Sequence, residues 1–267
     1  MEIKADLHYH PSFFTNCQHP RLSEKRAPTL DEIVRLASKR GIDVLAITSC
    51  SNYSARDNRW KDYFGKDEPF HNYSRGNKNI LFVRGQEFKT DKLDVNVLFA
   101  EGTISPEGST SQKSKFDFYC TLDAAKNAGD NVVVLVQNYP FGLTRSDCGS
   151  KINPRILEKL YESGKIDGIE AYNSMDPIMV SSTRNIPGIA VSDGHSLNDL
   201  GWAYTKFVIP LTEGYQNPEL TMEQIKDRIR TNNFDTFKRS LPMSSKLAYT
   251  LKLSEAIIRA KFSSFKI

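Results

Sequence analysis

Short apolar runs of strand-like composition recur along the chain, separated by stretches in which apolar positions return every three or four residues. The runs predict β-strands near Ile3–Tyr9, Val44–Thr48, Ile80–Phe88, Asp94–Ala100, Val132–Asn138, Gly168–Tyr172, Ile189–Asp193 and Thr205–Ile209. Between them, Thr29-Leu30-Asp31-Glu32 carries a capping-box pattern, Ile33, Leu36 and Ala37 share one helical face, and Gly41 supplies a stop. Leu122–Ala128, Pro154–Ser163 and Met222–Arg230 have similar helical spacing. Alternating strand and helix units predict a parallel sheet, and their number favours a closed or nearly closed α/β barrel. Two inserts interrupt the rhythm: Ser51–Asn79, polar and dotted with Tyr53, Trp60, Tyr63 and Phe64, and Glu101–Lys115, rich in Ser, Gly and Thr. Each is a candidate lid, with a helix in the first and a plain surface loop in the second as the alternatives.

A chain of 267 residues with 39% hydrophobic and 25% charged residues has the composition of an ordinary globular protein. One barrel domain is expected over residues 1–243. Residues 244–267, with Lys246, Lys252, Arg259, Lys261 and Lys266 against Glu255, are expected to form a basic amphipathic helix packed on or near it. No apolar run is long enough to span a bilayer and no signal-peptide pattern opens the chain, so a cytoplasmic location and no membrane partner are expected. The net charge of +4 suits an anionic substrate without being a nucleic-acid signature. Four cysteines without a C-x-x-C pair are expected to be free thiols.

Three of the five histidines lie in two ligand-rich runs at strand ends, Asp6-Leu7-His8-Tyr9-His10 and Ser192-Asp193-Gly194-His195. In a strand, residues two apart face the same side, so His8 and His10 share one space, and so do Asp193 and His195. Glu87 ends the third predicted strand in Arg84-Gly85-Gln86-Glu87. The carboxyl ends of parallel barrel strands open onto one mouth, where imidazole and carboxylate together suit a divalent transition metal. Asp6, with the strand parity of His8 and His10, is expected to orient a ligand histidine from behind.

With Gly41-Ile42-Asp43-Val44-Leu45-Ala46-Ile47-Thr48, Gly85-Gln86-Glu87, Ile169-Glu170-Ala171-Tyr172-Asn173 and Leu200-Gly201 added, the chain resembles the polymerase and histidinol phosphatase (PHP) domain family. The resemblance implies a distorted (β/α)7 TIM-like barrel of PHP type, up to three metals and hydrolysis of phosphate esters. It also exposes departures. Ser49-Cys50 stands where Asp-His is common, and Asn96 where a histidine is common. Asn138, before Tyr139-Pro140, takes the place of a His-Pro, and Thr15 or Asn16 that of an early third ligand. Carried over residue by residue, one metal site remains at His8, His10, Glu87 and Asp193, while the ligands of two others are reduced. One divalent ion per chain is then expected, zinc, manganese or iron(II), with His195 as general acid or base. Cys50 reads as a small buried residue rather than a soft ligand.

For the substrate, Arg145 in the loop after the fifth strand is the candidate phosphate contact, with Arg84 and Arg184 weaker. His19 and His71 read as solvent-exposed. The expected function is a metal-dependent phosphoesterase acting on a phosphorylated small molecule or nucleotide, nucleic acid being open but not required. The alternative is an inactive scaffold binding RNA or protein, similar to the barrel subunit of ribonuclease P. Against it stand the retained metal ligands and the lack of the aromatic-and-basic interleaving that single-stranded RNA favours.

Overall fold

A computed structural model describes residues 1–11, 28–50, 59–65, 68–75, 78–106, 116–137, 153–174, 185–210 and 217–241. The elements in chain order are β1 (Glu2–Tyr9), α1 (Leu30–Arg40), β2 (Val44–Cys50), α2 (Arg59–Phe64), β3 (Phe70–Arg75), β4 (Lys78–Phe88), β5 (Val95–Leu98), α3 (Phe118–Asn127), β6 (Val133–Gln137), α4 (Pro154–Glu162), β7 (Gly168–Asn173), β8 (Gly188–Val191), β9 (Tyr204–Val208), α5 (Pro218–Arg230) and β10 (Phe234–Phe237). Seven of the strands are the staves of a distorted α/β barrel, in the order β1-β2-β4-β5-β6-β7-β8, with β9 and β10 continuing from β1 and β3 flanking β4. The wall is parallel except at β5, which runs antiparallel to both β4 and β6. Only residues 89–94 separate β4 from β5, too few for a crossover helix, so the chain turns straight back. The eight predicted strands and four predicted helices all form. Thr29 caps α1 in a capping box with Glu32, and Gly41 at φ 67° ends it.

The insert 51–79 is no lid over its described part. Trp60 of α2 is buried with Ile80 and Phe82, Phe64 packs on Phe82, and β3 pairs along β4 from Phe70↔Val83 to Tyr73↔Ile80. Among the described residues of the insert, Trp60 is a core residue and Tyr63 and Phe64 pack against the same cluster. The short mixed run Phe70–Arg75 carries too little alternation to announce a strand. Residues 107–115 and 244–267 lie outside the described residues.

The inward and outward faces are read from what each residue packs against. Ile3, Ala5, Leu7, Val44, Ala46, Leu81, Val83, Val133, Leu135, Ile189 and Val191 form the barrel interior, with Met222, Ile225 and Ile229 of α5 in the same cluster. Leu45, Ile47 and Phe82 face outward, under Ile33, Val34 and Ala37 of α1. Along β1 this alternation breaks: Leu7 is interior, yet Tyr9 packs in the α1 layer. The register of β1 on β2 shifts between Asp6 and Tyr9, a bulge that re-aims the strand end.

The barrel closes between β8 and β1. Tyr9 bridges Gly194, Asp193 N–H donates to the His8 carbonyl at 2.9 Å, and His10 N–H donates to the Gly194 carbonyl at 2.8 Å. Lower down, β9 pairs antiparallel with residues 2–5 of β1, and its Thr205 hydroxyl both accepts from Ala190 N–H and donates to Ala190 C=O, each at 3.0 Å. Asp6 completes the closure: one carboxylate oxygen accepts from Ser192 N–H at 3.0 Å and the other from Gly201 N–H at 2.8 Å. The bulge thus separates Asp6 from the parity of the histidines. It ties down the segment that carries Asp193 and His195 and does not orient a histidine ring.

Thr205→Val keeps shape and removes the hydroxyl that joins β9 to β8, leaving a buried N–H without its acceptor. A loss of about 1–3 kcal/mol is expected, read as a lower urea midpoint at unchanged m. Burial pushes the Asp6 carboxyl from its ordinary 3.8 up to about 6, against the pull of the Ser192 and Gly201 N–H groups. Its contribution to stability is therefore full below pH 3.8 and is lost as pH rises through 6. Measured in chelator, the stability of the parent minus that of Asp6→Asn should fall by ~2 kcal/mol between pH 4 and 7. A flat difference contradicts the assignment.

Candidate metal centre

The interior face of the barrel changes character toward the carboxyl ends of the strands. Apolar residues give way to His8, His10, Glu87, Asn96, Gln137, Glu170 and Asp193, all nearly inaccessible to solvent. On β4, Glu87 continues the parity of Leu81 and Val83; on β6, Gln137 continues that of Val133 and Leu135; after β8, Asp193 continues that of Ile189 and Val191. On β1 the bulge supplies the inward turn for His8 and His10.

The donor atoms converge. His8 Nε2 lies 2.9 Å from His10 Nε2. Asp193 Oδ1 lies 3.6 Å from His8 Nε2, 3.5 Å from His10 Nε2 and 3.9 Å from His195 Nε2, and Glu87 Oε2 lies 3.4 Å from His10 Nε2. Two metal–ligand bonds of about 2.1 Å, at tetrahedral to octahedral angles, place their ligand atoms about 3.0–3.4 Å apart. The separations at His8, His10, Asp193 and Glu87 bracket that range, so the donor set fits a divalent cation. His8, His10 and Asp193 also form a potential metal-holding group whose ligand atoms lie within 4.8 Å of one another.

Each of the five side chains is fixed by its far atom. The His8 Nδ1–H donates to Glu170, 3.0 Å from each carboxylate oxygen; that of His10 donates to the Thr48 carbonyl at 2.9 Å; that of His195 donates to the Asp193 carbonyl at 2.7 Å. With Nδ1 so occupied, every imidazole turns Nε2 to the shared space. Asp193 Oδ2 accepts from Asn173 at 2.6 Å, and Glu87 Oε1 accepts from Gln137 at 2.8 Å. Asp193 sits at φ 47°, a left-handed conformation uncommon for a side-chain-bearing residue. Beside it, a Cβ on Gly194 would lie 2.9 Å from Asp199 Cβ and 3.1 Å from the Tyr9 ring, so only glycine lets this segment approach β1 so closely. Asp199 Oδ2 accepts from the N–H groups of His195 and Ser196 and holds the turn that follows.

Crowding these groups in a dry space splits the two β1 histidines. Burial works to lower His8, but Glu170, Asp193 and Glu87 outweigh it and lift the ring to about 10. Burial together with the charged His8 holds His10 down at about 3. With His8 held in its charged form and His10 neutral, His8 Nε2–H donates to His10 Nε2 at 2.9 Å.

The structure brings together His8, His10, Glu87, Asp193 and His195. Arg145 and Arg184 lie outside the described residues, as do Asn138, Thr15, Asn16, Cys17, His19 and the side chain of Cys50. Arg84 is buried and reaches Thr103 at 3.0 Å, on the outward parity of β4, which removes it from the mouth. His71 is half-buried on β3 with its ring against Phe64, not solvent-exposed. Three contributors escaped the sequence reading: Glu170, Gln137 and Asn173. Gln137 and Asn173 end their strands on the mouth side, Glu170 lies within β7 level with Gln137, and Glu170 and Asn173 were already in a quoted motif; inward parity near the strand ends was the signal that could have found them.

No family model matches the sequence, and no curated protein matches it. Solved structures do. PsfC from Pseudomonas syringae PB-5123 superposes with a TM-score of 0.56 at 9% identity, over 96% of this chain and 98% of that one. A two-domain protein from Bacteroides vulgatus ATCC 8482 containing a predicted PHP-like metal-dependent phosphoesterase gives 0.53 at 16% identity, over 90% of this chain and 65% of that one. The lesion-specific endonuclease PfuEndoQ from Pyrococcus furiosus gives 0.50 at 13% identity, over 88% and 58% respectively. This chain thus spans less than two thirds of the length of the last two. At these identities the likeness is one of fold, and the chain shares the barrel fold of a PHP-like protein.

Proposed function

We propose that this protein is a metal-dependent hydrolase of phosphate esters, with one divalent cation held by His8, His10, Glu87 and Asp193. The observation that carries the reading is the convergence of three Nε2 atoms and two carboxylate oxygens on one buried space, each side chain fixed from behind. A structural role alone would leave several charged groups out of water at high cost. The mixed nitrogen and oxygen donors suit zinc, manganese or iron(II). A two-domain protein containing a predicted PHP-like metal-dependent phosphoesterase and a lesion-specific endonuclease, both on the same fold, support this chemistry.

When bound, the cation supplies Lewis acidity, polarising a phosphoryl oxygen and making water more acidic. The chain supplies the rest. His195, with Nδ1–H committed to the Asp193 carbonyl, exchanges protons only at Nε2, the atom that faces the site, and serves there as general acid or base. Arg145 is assigned to the substrate phosphate, as a phosphomonoester, a nucleotide or a nucleic-acid end. The fixed rear contacts keep the donors from reorganising during the reaction.

Elemental analysis of protein purified without chelator should find about one equivalent of metal per chain, and none in Asp193→Ala, with phosphatase activity lost in step. No metal in either protein after reconstitution with zinc, manganese and iron(II) would sink the proposal and leave the scaffold alternative. Cation uptake must also displace the proton on His8, which its raised value of about 10 keeps in place at neutral pH. Calorimetric titration at pH 7.5 in buffers of different ionisation enthalpy should register release of about one proton per cation.

A further inference from the structure

Among the described residues, the Nδ1 of His8 meets a charged side chain, whereas those of His10 and His195 donate to backbone carbonyls. Its partner Glu170 is itself constrained. It lies on β7, level with Gln137 of β6 and Ile189 of β8, and is 1% exposed. Its Oε1 accepts from the Asn96 amide at 3.0 Å, and the same amide nitrogen donates to the Leu7 carbonyl at 3.2 Å. The orientation of Asn96 is fixed by chemistry, because a carboxylate and a carbonyl both accept and only the NH2 end can serve the two. Asn96 sits on β5, paired with Glu87 of β4, so its side chain crosses the barrel to reach β1 and β7. Three staves are joined over the lumen by one chain of contacts, Leu7 C=O to Asn96 to Glu170 to His8.

This chain has a direction. Asn96 holds Glu170 in place, Glu170 takes the Nδ1 proton of His8, and His8 is left with Nε2 as its donor toward His10 and Asp193. A negative charge behind an imidazole pushes electron density toward the opposite nitrogen and fixes the ring plane, which makes Nε2 a stronger and better-aimed ligand. A backbone carbonyl does so more weakly. The stronger push falls on the histidine whose Nε2 is 2.9 Å from a second imidazole nitrogen, where two lone pairs repel most unless a cation lies between them.

We infer that Glu170, clamped by Asn96, is a positioning residue that sets the affinity and coordination of the divalent cation through His8. The inference rests on the proposed metal-dependent activity, and its test separates the two. Zinc affinity is measured by competition with a chromophoric chelator, and the cobalt(II) derivative is read by its visible absorption. The proteins are the parent, Glu170→Gln, Asn96→Ala and the double variant, with urea unfolding in chelator as the control for folding. Glu170→Gln keeps size and a hydrogen-bond acceptor but loses the charge. It is expected to weaken zinc about ten- to hundred-fold and to alter the cobalt spectrum, with one equivalent still bound. Asn96→Ala should weaken zinc several-fold in the parent and add nothing in the Glu170→Gln background. Parent-like affinity and spectrum in Glu170→Gln overturn the inference and leave the hydrolase reading standing. Additive losses in the double variant overturn the role of Asn96 as a clamp. Absence of zinc binding in the parent itself overturns the hydrolase reading and this inference with it.

Discussion

The bulge near the end of β1 is the constraint on which the mouth of this barrel depends. Up to Leu7 the strand contributes alternate apolar residues to the interior, and without interruption Tyr9 would follow them inward. The register shift instead turns Tyr9 out under α1 and sends His8 and His10 into the lumen. The same step sets the closure. The backbone of His8 and His10 meets Asp193 and Gly194, so the residues that supply donor atoms also seal the wall. Ligand placement and barrel closure are one interaction.

Such a site has to offset a large desolvation cost. Two carboxylates and three imidazoles share a space with almost no solvent, and the buried charges around them lift His8 and hold His10 down. Fixed dipoles do the remaining work: Asn173 on Asp193, Gln137 on Glu87, Asn96 on Glu170, and backbone carbonyls on His10 and His195. These contacts are half of the site, because a donor free to rotate would find water or another partner before it found a cation.

Much of this was legible in the residues. The eight strands came from apolar runs, α1 from its capping box and Gly41, and the grouping of His8, His10, Glu87, Asp193 and His195 from strand parity and position at strand ends. What parity could not show was its own interruption. Asp6, placed with the histidines by counting in twos, lies on the other side of the bulge and holds Ser192 and Gly201. The antiparallel β5 was within reach of the sequence, because the predicted strands before and after residues 89–93 leave too little chain for a crossover helix; β3 was not, since its weak alternation hides a strand that gains its stability from β4. Contacts across the lumen, such as Asn96 to Glu170, join residues far apart in the chain and leave no local pattern.

The residues that depart from the family pattern acquire a physical role in this light. Asn96 and Gln137 present amide N–H groups to the buried carboxylates of Glu170 and Glu87. An N–H donor satisfies a carboxylate oxygen without adding charge, so the amides stabilise the acidic residues. The sixth strand delivers this through Gln137, one residue before the Asn138 singled out by sequence, because Gln137 holds the inward parity of Val133 and Leu135. A buried acidic cluster is therefore held by neutral hydrogen-bond donors on one side, while the imidazole nitrogens gather at the other, in the corner of His8, His10 and Asp193.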